Sequence, residues 1–284
     1  IEELGRGNSI AESVDGLSLG LSDLERSMIA AGERGGKLEQ AFGNLSGYFG
    51  MLHETQQQVK RSLIYPVLLL HAGVLLPSIP KVIMSQGQAS FVELAVVPLL
   101  ILYAIVFVAV LLVRGLISRA RSEAGADALL RRVPFVGKAR EALAMGRFCG
   151  VFHMHLLAAI SMSESVKAAG KAAQSGLIGA AAERVGERIV GGMPLGPSLL
   201  GEAAFPVSFT TSMNTAEEAG TVDVDLGRWA STYRETAVGA LDQASPWYPK
   251  VFYVIVVFMV AWQILSVGLS YSRLIEGTME QLGL

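Results

Sequence analysis

A single cysteine, Cys149, in 284 residues leaves no partner for an intrachain disulfide and no thiolate-rich metal site. Charge is also scarce. Asp, Glu, Lys and Arg make up 17% of the chain, and the formal net charge is −2. A protein that gathers nucleic-acid phosphates needs a basic face, so this balance argues against nucleic acid as a partner. No segment alternates apolar and polar residues well enough to be a strand. At Ile1 there is no charged leader with a short apolar run and a small-residue cleavage site, so no signal peptide is expected. Apolar surface is what the chain has in excess. The hydrophobic fraction is 51% and the mean hydropathy +0.45, which points to the membrane class.

The chain repeats itself. Gly7 to Tyr48 reappears at Gly192 to Tyr233 at an offset of 185, with ten of 42 positions identical. Chance would give about three at average residue usage. The shared positions include Ser27-Met28 with Ser212-Met213, Glu33 with Glu218, Gly35 with Gly220, and Tyr48 with Tyr233. Each copy continues through a polar helical stretch to a Tyr-Pro pair, Tyr65-Pro66 and Tyr248-Pro249, that opens a long apolar segment. Such a period is too long for a solenoid unit, so a duplicated domain is expected. About 40 residues upstream in the second copy have no counterpart in the first, whose N-terminal part is therefore expected to be missing.

Three segments are long enough to cross a hydrocarbon core of about 30 Å: Ser62–Pro80, Leu94–Val113 and Val251–Ser272. Pro66, Pro77 and Pro80 are expected to bend or end the first. Lys and Arg set the orientation. Arg114, Arg119, Arg121, Arg131, Arg132, Lys138 and Arg140 follow the second span, whereas Lys81 alone lies in the connection before it. The positive-inside rule therefore puts residues 114 to 250 in the cytoplasm, and Lys60-Arg61 puts the first domain there too. The arginine cluster is read as a topology signal, with a patch for acidic partners as the second reading.

Helices are expected at Ala142–Ala159, from the Ser161-Glu164 capping box onward, at Gly176–Val190, near Pro197–Leu200, at Pro206–Ala219 and from about Val222. In the first copy they are expected at Ser9–Val14, Leu21–Ala31 and Lys37 to about Leu63, with a break at Gly32–Gly36. The fold class is all-α, with two helical-bundle domains and three transmembrane helices. The domains are residues 1–61, the helix pair 62–117, residues 118–250, and the last span with its tail, 251–284.

No catalytic set, metal site or cofactor site is read. AGERGGKLE lacks the Ser or Thr that follows the lysine of a phosphate loop. Cys149 and His153 lie one helical turn apart with His155 nearby, a ligand set too small for a metal. His71, inside the first span, is read as hydrogen-bonded to a neighbouring helix. What recurs is a Glu-x-Gly helix junction, at Glu33-Gly35 and Glu218-Gly220. These residues, with Tyr65, Pro66, Tyr248 and Pro249, are the candidate contact or structural positions. The glutamate is expected near the N-terminus of the following helix, with glycine making the turn.

Four pieces, in order, resemble the inner-membrane platform family of type II secretion and type IV pilus assembly machines. They are MIAAGERGGKLEQA, KRSLIYPVLL, RRVPFVGKAREALAMGRF and AAISMSESVKAAG. The resemblance implies two cytoplasmic domains of the six-helix type and three spans in the inner membrane. It implies contact with a hexameric cytoplasmic ATPase and with pilin or pseudopilin subunits; with no catalytic set read, a non-enzymatic scaffold that couples that ATPase to insertion of the subunits is expected. Other inner-membrane assembly proteins, the lipid bilayer and further copies of the chain are the remaining implied partners. The alternatives are a transport or channel subunit, or the same fold in a tight-adherence or archaeal filament system.

Overall fold

The computed structural model describes residues 9–10, 13, 21–84, 92–133, 136–244, 250 and scattered positions between 253 and 268. Every regular element among them is helical. The helices are α1 (Asp23–Arg34), α2 (Leu38–Met84), α3 (Val97–Ala120), α4 (Ala124–Arg131), α5 (Val136–Leu157), α6 (Met162–Ala172), α7 (Gly176–Val190), α8 (Leu195–Leu200), α9 (Val207–Ala219) and α10 (Val222–Ala244). A π-helical segment, Val92–Val96, leads into α3. Two compact units form. One holds residues 1–55 and 113–243, the other residues 56–112 and 244–284.

The first unit is built around α5. Its residues Met145, Phe148, Cys149, Val151 and Phe152 are all fully buried. Phe148 lies 5.1 Å from Phe205 and 6.1 Å from Phe209, centroid to centroid, and Trp229 stacks on Tyr233 at 5.3 Å. Each buried aromatic or aliphatic side chain contributes about 1.5–3 kcal/mol through removal from water. Both repeat copies press on α5. A Cβ built on Gly150 would lie 3.2 Å from Met28 of the first copy, and one on Gly146 would lie 3.7 Å from Tyr233 Cβ of the second. The conserved spacing of the repeat is thus a packing register: Met28 and Met213 are both buried on their helices.

Helix α4 was not foreseen. It carries Asp127, which is fully buried and accepts hydrogen bonds from Arg140 Nε, Ser175 Oγ and the Leu177 amide. Arg140 also donates to the Ala120 carbonyl at 2.9 Å, so the end of α3, the connector α4 and the N-terminus of α7 are tied to one guanidinium. A lone polar residue in an apolar stretch gives no hint of partners 13 and 48 residues away.

In the second unit, α2 continues through Pro66, Pro77 and Pro80 without ending. Proline removes an amide and crowds the preceding turn, yet in an apolar setting the remaining backbone groups have no partner better than the helix itself. Side chains also bond carbonyls along this stretch: His71 Nδ1 lies 2.7 Å from the Val67 oxygen, and Ser78 Oγ donates to that of Val74 at 2.7 Å. Two helical stretches, Leu38–Leu76 and Leu99–Ala120, are long and apolar enough to cross a membrane by length and composition. They overlap the first two expected spans, Ser62–Pro80 and Leu94–Val113, without sharing their bounds. The third, Val251–Ser272, falls mostly outside the described residues.

Replacing Asp127 with Ala leaves the partly buried Arg140 guanidinium and the Ser175 hydroxyl without their acceptor, and breaking a largely buried pair costs up to about 3–5 kcal/mol. Thermal unfolding of the detergent-solubilised chain is expected to show a Tm lowered by several degrees in D127A, and an unchanged Tm would refute the tie.

Candidate interaction site at the helix junctions

At the first junction, α1 ends on two glycines. The Gly36 amide bonds the Glu33 carbonyl at 3.2 Å and the Lys37 amide bonds the Gly32 carbonyl at 2.7 Å, with Gly36 at φ +66°. This is the Schellman arrangement, and a left-handed residue there is most easily glycine. Gly35 packs on the end of α5: a Cβ there would sit 3.0 Å from Ala158 Cα. Both carboxylate oxygens of Glu33 accept from the Ile10 amide at 2.9 Å.

The second junction repeats these bonds one residue out of the repeat register. Gly220, at φ +72°, bonds the Glu217 carbonyl at 3.2 Å, and the Thr221 amide bonds that of Ala216 at 2.8 Å. It is Glu217 whose two oxygens accept from the Leu195 and Gly196 amides, each at 2.8 Å. Glu218, the partner of Glu33 at the constant offset, is exposed and, among the described residues, accepts from Asn214 Nδ2 alone, at 3.1 Å. Each junction glutamate therefore caps a backbone segment that precedes its own helix, at Ile10 and at the start of α8, rather than the helix that follows. For α8 the reason is plain. Its N-cap is Pro194, which offers no side-chain oxygen, so a carboxylate from α9 supplies it.

The other candidate positions lie apart from the junctions. Tyr65 is exposed on α2, and Pro66 follows it within the helix. Tyr248 and Pro249 lie outside the described residues. His71 has the expected partner, Tyr103 on α3, whose hydroxyl is 2.7 Å from Nε2. Among the described residues no cluster of His, Cys, Asp and Glu could hold a metal.

Cys149 is fully buried, and desolvation pushes its thiol well above its ordinary range. His153 and His155 are both held below the ordinary imidazole range, chiefly by burial. Asp223 offsets this for His153 and Lys37 adds to it. For His155, Glu164 and the Ser27 backbone offset it and Arg34 adds to it, while its Nδ1 is buried without a partner. Sequence reasoning also missed Arg147, whose Nε donates to the Tyr48 hydroxyl at 2.7 Å and whose guanidinium lies 5.3 Å from that ring centroid, joining the first copy to α5.

Taken together, these features define a protein whose regular elements among the described residues are all helical, with membrane-length helices and two helix junctions of like hydrogen bonding, each with a carboxylate that caps backbone amides. Residues 1–85 match the family model described as type II secretion system protein F. The chain is 26% identical to a type II secretion system protein F of Aeromonas hydrophila over 79% of its own length and 62% of that protein. It is 24% identical to a protein of the same description in Pseudomonas aeruginosa, over 79% and 60%. A type 4 fimbrial assembly protein PilC of Pseudomonas putida is 22% identical, over 85% and 65%. The chain thus spans 60–65% of the length of these curated relatives. The resemblance read from the motifs holds: the chain is a relative of type II secretion system protein F and PilC.

Losing a carboxylate that caps two amides costs about 1–3 kcal/mol. Glu217→Ala is therefore expected to lower the unfolding midpoint clearly, and Glu218→Ala to shift it by no more than about 0.5 kcal/mol; equal effects would remove the assignment. Acid provides a separate check. Because the folded pKa of His155 is depressed, the unfolded chain binds more protons below about pH 6.5, so stability is full above that value and falls as pH drops through it. Unfolding midpoints measured from pH 7.5 to 5.5 are expected to decline, and less steeply in His155→Gln.

Proposed function

We propose that this protein is a non-enzymatic inner-membrane platform of a type II secretion or type IV pilus assembly machine. In this reading its helical unit faces the cytoplasm, engages a hexameric assembly ATPase, and passes conformational work to pilin-like subunits in the bilayer. The observation that carries the reading is the match to secretion and fimbrial assembly proteins along 79–85% of the chain, over a fold that joins a compact helical unit to membrane-length helices. A covalent step needs a positioned nucleophile or acid–base pair, and the buried groups described above are engaged in capping and packing instead. Further copies of the chain, and other inner-membrane assembly proteins, complete the proposed assembly. The finer points, three spans and two six-helix domains, belong to the same proposal.

Co-purification tests it. The detergent-solubilised chain, co-expressed with a hexameric assembly ATPase from the same organism, is expected to retain that ATPase on an affinity column and to show no nucleotide hydrolysis of its own. A folded chain that fails to retain a folded ATPase, or that hydrolyses ATP alone, would overturn the proposal.

A further inference from the structure

The seven basic residues that follow the second span are not one group. Arg140 is committed to Asp127 and the Ala120 carbonyl, and Arg131 to the Ala204 carbonyl and Glu141. Arg114, Arg119 and Arg121 differ. All three are exposed, as Arg132 and Lys138 beyond α3 also are, and their side chains have no carboxylate or carbonyl partner among the described residues. They lie within eight residues at the end of α3, directly after its apolar stretch, and no acidic residue intervenes between Leu94 and Ser122. Glu93 stands at the opposite end, so the helix carries its charges segregated by sign.

Register and length add a geometric constraint. At 1.5 Å per residue Arg114 and Arg119 lie about 7.5 Å apart along the helix axis, comparable to one headgroup layer of about 5–7.5 Å, with Arg121 just beyond the helix. Arg114 and Arg119, five residues apart, lie on different faces of α3, and Arg121 follows in the turn after it. The helix end is also fixed in place, because the Ala120 carbonyl is held by Arg140 and the Glu123 amide closes on the Arg119 carbonyl at 2.8 Å. Unpaired arginines on an anchored helix end present planar, bidentate donors suited to phosphate oxygens.

We propose that Arg114, Arg119 and Arg121 form a binding site for the phosphate of anionic glycerophospholipids at the end of α3. The inference rests on the reading that α3 spans a bilayer. Topology alone needs only positive charge; the site adds selectivity among lipids. A cation near an anionic surface contributes about 1 kcal/mol, or roughly five-fold in lipid partitioning for each arginine. Exposure makes the effect sensitive to salt.

The test places the full chain in vesicles of phosphatidylcholine with and without phosphatidylglycerol, then counts retained lipids by native mass spectrometry after detergent extraction. Wild type is expected to retain phosphatidylglycerol several-fold over its bulk fraction. The R114Q/R119Q/R121Q variant is expected to lose that enrichment, whereas K37Q/K171Q/R228Q, with the same charge removed elsewhere, keeps it. Inorganic phosphate at millimolar concentration should not displace the lipid, since a displaceable anion would identify a soluble ligand and overturn the proposal. A chain that resists carbonate extraction yet shows no enrichment overturns the lipid site alone. A chain released by carbonate overturns the spanning reading and the site with it. Loss of ATPase retention in R114Q/R119Q/R121Q with unchanged lipid enrichment would assign the arginines to a protein partner instead.

Discussion

The compact unit depends on carboxylates that reach across the sequence to cap backbone amides. Helix N-termini leave amides without partners, and burying them uncapped costs about 1–3 kcal/mol each. Here Glu33 serves Ile10, Glu217 serves Leu195 and Gly196, and Asp127 serves Leu177 together with the Ser175 hydroxyl. Their separations of 21 to 50 residues mean that each cap is also a tertiary tie. Short helices such as α8, with Pro194 at its N-cap, hold their places through these ties as well as through apolar contact.

That constraint explains why the junction was only half legible in the sequence. Glycine needs little context: Gly36 and Gly220 occupy the left-handed region that ends a helix, and both lie in motifs readable by eye. The glutamate needs three-dimensional context. A constant offset pairs Glu33 with Glu218, but the second junction is one residue shorter between its glutamate cap and the start of the repeat, so Glu217 faces the amides. Side-chain register within the flanking helices still follows the offset, as Met28 with Met213 shows. Helix boundaries set by local chemistry were close, such as Gly176–Val190 with its Ser175 cap. Helix α4 escaped notice because its eight residues owe their place to Asp127, whose partners come from distant segments.

In the apolar helices the same requirement for backbone satisfaction acts with opposite consequences. Proline in a water-exposed helix offers the chain an exit, because freed carbonyls can bond water. In α2 the helix persists through three prolines, and polar side chains bond back to carbonyls of the preceding turn. His71 joins this economy from both ring nitrogens, toward Val67 on its own helix and Tyr103 on α3. A polar residue in such a segment thus has a structural task that accounts for its presence.

Arginine usage follows from comparing what each guanidinium can reach. Arg140 and Arg147 lie on α5, where neighbours from several helices surround them, and both find internal acceptors. Arg114 and Arg119 lie in the last turns of α3 and Arg121 just after it, where no acidic residue precedes them back to Glu93 and the first to follow is Glu123. Glu123 in turn serves as the N-cap of α4 through its backbone, and its side chain makes no capping bond. A buried arginine must be paired or its desolvation destabilises the fold, so internal sites select for partners. An exposed arginine faces no such demand, and the three at the C-terminal end of α3, without a partner among the described residues, are open to a ligand outside the chain. The division of one basic stretch into committed and uncommitted cations is therefore set by burial, which composition cannot display.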